Sequence, residues 1–384
     1  MKKKIFIVAG EKSGDLLGSK IAKQLNKEKF EISGVGGEMM KNSGVQLFSS
    51  INDISVMGIF EVLPKLFKIL KKIKEIAKHI IESEQDIVLT IDAPDFCFRV
   101  AKLVKKLDKN KKIKFVHFIA PSVWVYRKNR AKKIAKIYDL LFCILPFEPP
   151  YFKKYGLKSI FVGHPIFDKN SLEYEFNKNK INYNPDSNII SITSGSRKSE
   201  VKVLLPIILD TVEKLMQKYK NLEFHILATE NTVDIIKNIL QNKKIDYIKI
   251  NTTQEEKNNI LANSLLAIAK SGTNTLEIAG YSIPIVVIYK FNFFTNLIAK
   301  FIKMISTAKY VNIINVIAKK ENIPELILDN CNSKTIFEKV CKLIDNKELR
   351  LKQIKTNLDI IKILGYNTEE NNSIGKVVDC INSL

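Results

Sequence analysis

The residues best equipped for chemistry lie in loops that directly follow apolar runs. Ser271, Gly272 and Thr273 come after the run 265–269 and open a helical pattern carrying Leu276, Glu277 and Ile278. A helix start presents unpaired backbone N–H groups and a partial positive charge, and Gly272 lets an anion come close to the main chain. Phosphate fits that description. Glu277, about one turn into the helix, would repel a phosphate but can accept hydrogen bonds from a ribose, so the combination points to a nucleoside diphosphate. The competing reading is a plain helix cap at Ser271 or Thr273, with Glu277 favourably placed in the first turn. SGT-x-x-LE is neither a Walker loop nor a GxGxxG fingerprint.

Asp92 ends the run 87–91 and is followed by Ala93-Pro94-Asp95. Pro94 disfavours helix at Ala93, and Asp95 is placed to cap the helix through Phe96, Val100 and Leu103. That leaves Asp92 as a strand-end carboxylate suited to general-base work, against a loop hydrogen bond as the plainer alternative. Arg197 follows the Gly195 turn at another strand end, where a guanidinium can grip a diphosphate. The loop from Pro121 to Arg130 gathers the only tryptophan, Trp124, with Tyr126, Arg127 and Arg130. Arginines suit a phosphate, and aromatic rings suit a sugar face or an acyl chain. The alternative there is a surface helix start with Trp124 packed beneath it. His164 could face a ligand, but a hinge histidine with a structural hydrogen bond is the commoner case.

The elements that must hold these loops are strands without polar alternation, the mark of parallel sheets covered on both faces. Strands are expected at 5–9, 30–34, 87–92, 113–119, 140–145 and 160–162, then at 189–193, 222–227, 247–250, 265–269 and 284–288. Helical patterns separate most of them, giving two Rossmann-like, doubly wound α/β domains whose ligands gather at the carboxyl ends of the strands. The expected division is a first domain over 1–168, a linker over 169–187 rich in Asn, Lys and Asp, and a second domain over 188–346. Helices over 347–384 are expected to return to the first domain. Two such domains facing a central cleft is the GT-B architecture, and the pattern is also compatible with an epimerase or a dehydrogenase.

Lysine and arginine (62) outnumber aspartate and glutamate (40), and the net charge of +22 calls for a polyanionic partner or a compositional cause. Nucleic acid, an anionic membrane, phosphorylated substrates and a biased genome are the candidates. No nucleic-acid motif is recognisable and the lysines are spread along the chain, which argues against the first. Two basic amphipathic segments, 63–81 and 291–305, suit the headgroup region of an anionic membrane; packing on a sheet is the plainer account of both. No apolar run reaches the ~20 residues needed to span a bilayer, and Glu11 interrupts the apolar start, so a soluble or surface-bound protein is expected. The cysteines, without CxxC spacing, read as reduced core thiols of a cytoplasmic protein, and no group has metal-ligand spacing.

In order along the chain, VAGEKSGDLLG, SVMGIFEVL, IDAPDF, PSVWVYR, LPFEPPYF, VGHP, GSR, SGTNTLE, YVNIIN and PELIL resemble the lipid-A-disaccharide synthases, inverting glycosyltransferases of lipid A assembly. The match spans nearly the whole sequence. It departs at Ser194 and Ile314, where prolines are usual, and at Lys319, where glycine is common. The resemblance implies transfer of 2,3-diacylglucosamine from its UDP derivative to 2,3-diacylglucosamine 1-phosphate, without a cofactor or metal. It implies a peripheral protein on the cytoplasmic face of a Gram-negative inner membrane. Asp92 becomes the base, while Arg197, Ser271, Gly272, Thr273, Glu277 and Asn315 become the nucleotide side. Glu11, Ser13, Trp124 and Arg127 become the acceptor side.

Overall fold

The computed structural model describes residues 2–53, 59–110, 112–125, 129–168, 183–290, 309–366, 368 and 372–384. The chain divides into two compact units, Met1–Asp168 with Glu370–Leu384, and Lys169–Glu369. The first is built on a seven-stranded sheet of β1 (Lys3–Ala9), β2 (Phe30–Gly36), β3 (Gln46–Ser50), β4 (Ile87–Ile91), β5 (Lys114–Phe118), β6 (Leu140–Cys143) and β7 (Lys158–Phe161). Its order is β3-β2-β1-β4-β5-β6-β7 and every pairing is parallel. The unbroken apolar run of β1 serves both faces. Phe6 and Val8 join a core with Ile73, Ile76 and Val100, while Ile5 and Ile7 join another with Leu17, Ile21 and Val377. β3 escaped the sequence reading because QLFSS is polar and sits at the sheet edge, where one side needs no apolar cover.

The second unit holds β8 (Ile189–Thr193), β9 (Glu223–Leu227), β10 (Ile248–Asn251), β11 (Ser264–Lys270), β12 (Ile285–Tyr289) and β13 (Glu325–Ile327). The order is β10-β9-β8-β11-β12-β13, again all parallel. Ile190, Ile192, Ile226, Leu266 and Ile268 pack with Leu204 and Ile208 of the helix Lys198–Lys218.

The C-terminal helices divide differently from the sequence expectation. Lys347–Ile363 stays in the second unit, where the buried Arg350 guanidinium donates to the carbonyls of Leu343, Ile344 and Pro185. Only Ser373–Asn382 belongs to the first unit. Its start is fixed by Asp168, whose carboxylate accepts from Ser373 N–H, Ser373 Oγ and Ile374 N–H. A carboxylate at an exposed run of N–H groups is the anion a helix start favours. His164, just before it, is a structural residue: burial lowers its pKa to about 4, and Nδ1 accepts from Ile166 N–H.

The amphipathic stripe expected over 63–81 is largely a packing face. Ile73, Ala77 and Ile80 of the helix Ile59–Glu82 lie in the core, whereas Phe67 is 83% exposed. The segment 291–305 lies outside the described residues. No described helix is long and apolar enough to cross a membrane.

Candidate active site

In the first unit the strand order turns between β1 and β4, so the loops after Ala9 and Ile91 lie side by side at the carboxyl edge. The approach is close enough that a Cβ on Gly10 would lie 2.6 Å from that of Ala93. The helix Lys12–Gln24 starts directly after Glu11, earlier than its apolar pattern indicated, and places Ser13 in its first turn. Ser13 Oγ donates to Asp92 Oδ2 at 3.1 Å. Asp92 and Ala93 both adopt left-handed backbone (φ 50° and 41°), and Asp92 N–H donates to Phe118 O at 3.0 Å. Two consecutive non-glycine residues in that region store strain of about 1–3 kcal/mol each, the kind of cost found at functional sites.

Beneath this corner the Cys97 thiol is pushed up, by burial first and then by the charge of Asp92, with Glu11 adding to it. Two carboxylates therefore bear on one spot. Asp95 is not the expected cap; Ala93 holds that position, and Asp95 pairs with Arg130 Nη2 at 2.7 Å. His117 is held neutral by burial, with a pKa of about 3, and joins Thr90 and Tyr138 in a buried hydrogen-bonded cluster under β4 and β5.

Trp124 is buried edge-on against Phe147, and Arg127 lies outside the described residues. Next to Trp124, burial raises the Glu148 carboxyl from 4.5 to about 8, opposed by the Leu145 N–H that Oε2 accepts and by the Trp124 indole. The folded state thus keeps a proton that the unfolded chain gives up between these values. Stability from this group is complete below pH 4.5 and lost as pH rises through 8. Glu148→Gln is expected to flatten that part of the stability profile, read as unfolding midpoints from pH 5 to 9; parallel profiles for variant and parent would contradict it.

In the second unit β8 and β11 are the neighbours at the reversal of strand order, so 194–197 and 271–273 share the carboxyl edge. Asn274 Nδ2 donates to Thr193 Oγ1 at 2.9 Å and ties the two loops. Gly195 (φ 121°) brings the chain so close to Glu200 that a Cβ would meet Oε2 at 2.6 Å. That oxygen accepts from Ser196 and Arg197 N–H, so the helix Lys198–Lys218 is capped by its own carboxylate. The loop at Ser271, Gly272 and Thr273 is different. Gly272 and Thr273 are exposed, and the Arg197 side chain, 66% exposed, stands by the neighbouring loop. Glu277 is half-buried on the helix Asn274–Gly280. Burial lowers the nearby Lys257 ammonium, and Glu277 is the foremost charge sustaining it.

Asn315 is fully buried and its carboxamide works inside the protein. Oδ1 accepts from Asn322 and Ile323 N–H, while Nδ2 donates to Ile323 O and Glu325 Oε1. Glu325 in turn accepts from Val311 and Asn312 N–H, and Asn312 Nδ2 reaches Thr275 Oγ1 on the helix Asn274–Gly280. Asn315 is thus a brace of that region. Sequence reading missed Asn312 and Glu325, whose roles depend on contacts distant in sequence, and it passed over Lys270, which ends a buried strand directly before SGT.

Comparison with known proteins decides the family. The pattern describing lipid-A-disaccharide synthetase matches residues 5–377. The chain belongs to this family. It is 40% identical over 380 residues to the lipid-A-disaccharide synthase of Rickettsia prowazekii, covering 97% of each chain. It is 40% identical over 376 residues to that of Rickettsia bellii, covering 95% of each. Membership makes it a glycosyltransferase of lipid A biosynthesis. Among solved structures it resembles Neisseria meningitidis UDP-GlcNAc 2-epimerase bound to UDP-GlcNAc (TM-score 0.65, 13% identity, 99% of this chain and 100% of that one). It also resembles Acinetobacter baumannii MurG (TM-score 0.56, 14% identity, all of both chains). At such identities the likeness concerns the fold, which is of the GT-B type. Lys319 adopts φ 55° just after the helix Ile313–Ala318, the conformation glycine takes without strain.

Proposed function

We propose that this chain transfers 2,3-diacylglucosamine from UDP-2,3-diacylglucosamine to the 6-hydroxyl of 2,3-diacylglucosamine 1-phosphate with inversion, releasing UDP. One observation carries the reading: the second sheet offers an exposed glycine loop and an exposed guanidinium at its strand-order reversal, while the first sets the carboxylates of Glu11 and Asp92 at its own. Donor diphosphate and proton acceptor are thereby assigned to different units. UDP-GlcNAc in the epimerase of similar fold supports a UDP-sugar as the donor.

In the reaction, Asp92 takes the proton of the acceptor hydroxyl as its oxygen bonds to the anomeric carbon. The bond from that carbon to the diphosphate oxygen breaks, and its electron pair leaves with UDP. Ser13 occupies Asp92 Oδ2 and so aims the carboxylate. Arg197 and the main chain of Ser271, Gly272 and Thr273 meet the charge on the leaving group, Glu277 holds the ribose, and Asn315 keeps the surrounding segment rigid. Glu11, Trp124 and Arg127 serve the acceptor, Arg127 through its 1-phosphate and Trp124 by shaping the loop. The net charge of +22 and exposed Phe67 suit a site of action on the anionic cytoplasmic face of an inner membrane. The linkage of the product, read by NMR, tests the stereochemistry: a β-1,6 bond is expected, and an α bond would overturn inversion.

A further inference from the structure

We propose that Lys270 is a further residue of the donor site, placing its ammonium on the diphosphate of the nucleotide sugar. The inference rests on the reading of Ser271, Gly272 and Thr273 as the diphosphate loop. Lys270 ends β11, whose preceding six residues are all buried, yet its own side chain is 19% exposed at the carboxyl edge. Nζ lies 3.0 Å from Glu200 Oε1 and 5.3 Å from the centroid of the Tyr289 ring. A Cβ built on Gly272 would come within 3.5 Å of Nζ, so the ammonium stands beside the main chain of the loop.

A helper of Glu200 is the plainer role for this lysine, and the charge balance decides against that role alone. Glu200 already accepts two backbone N–H groups and has the Arg197 guanidinium at 4.0 Å. Arg197, Lys270 and Glu200 together carry one net positive charge, and both cations border the loops at the strand-order reversal. Holding a lysine largely out of water costs desolvation, which an anionic ligand at the same edge offsets. Glu200 and the Tyr289 ring position the ammonium before the ligand arrives, so little reorganisation accompanies binding. As the bond to the anomeric carbon breaks, charge grows on the departing diphosphate and the Lys270 contact strengthens. The same lysine therefore contributes to affinity for UDP and, more strongly, to turnover.

Calorimetric titration with UDP and with uridine, alongside turnover, tests this on the wild type, Lys270→Met, Lys270→Gln and Lys270→Arg. The neutral variants are expected to bind UDP about tenfold more weakly, to leave uridine binding unchanged and to lower kcat by about 10–100-fold; Arg should restore most of both. The Gln variant retains a donor to Glu200, so it reads the same loss if the Met variant folds poorly. An unchanged ratio of UDP to uridine affinity in a folded neutral variant, with kcat within about twofold of the wild type, overturns the role of Lys270 alone. A wild type that does not prefer UDP to uridine overturns the diphosphate-loop reading itself, and Lys270 with it.

Discussion

Asp92→Asn is expected to fold like the wild type and to lose about a thousandfold in kcat, within the range attributed to a general base. The amide keeps the size of the carboxylate and can still accept from Ser13 Oγ, and the Asp92 N–H bond to Phe118 O does not involve the side chain. What disappears is the capacity to take a proton from the attacking hydroxyl. The proposed donor loop lies in the other unit, so UDP affinity should be unchanged while kcat falls. Turnover within about tenfold of the wild type would remove Asp92 as the base and leave the strained backbone at β4 without a catalytic reason.

A second large effect is expected at Asp15, through stability. Its carboxylate is buried and accepts three backbone N–H groups, from Gly37 at 2.6 Å, Met39 at 3.2 Å and Met40 at 3.1 Å. It thereby caps the helix Glu38–Asn42 from a distant part of the chain. A five-residue helix does not persist alone, so this cap fixes the connection between β2 and β3. Asp15→Ala leaves those donors unpaired and should cost about 3 kcal/mol, with Asp15→Asn losing less because one acceptor remains. Urea unfolding followed on the full chain measures it. A loss below about 1 kcal/mol would mean that water replaces the carboxylate at no cost.

Asp15 also marks where sequence reasoning stops. The strands were legible because parallel strands covered on both faces must be apolar without alternation, as in 5–9 and 265–269. The positions of Asp92 and Arg197 just after strands were legible because the apolar runs before them end there. Asp15, Glu325 and Asn312 were not, since each works through a partner brought near only by the fold. Asn315 was expected at the nucleotide side, but its amide is bonded inside the protein. Asp95 was assigned a cap from its distance to Pro94, whereas the left-handed turn at Asp92 and Ala93 shifts the helix start and frees Asp95 for Arg130. The stripe at 63–81 shows the same limit, because membrane contact and sheet packing select the same periodicity.

The proposed reaction joins two acylated glucosamines using a UDP-activated donor. The most direct measurement is UDP release from UDP-2,3-diacylglucosamine in detergent, with and without 2,3-diacylglucosamine 1-phosphate, followed by mass analysis of the lipid. Release that depends on the acceptor and yields the tetraacyl disaccharide 1-phosphate is predicted. Folded protein that releases no UDP in the presence of acceptor, or releases it equally without one, would contradict the claim.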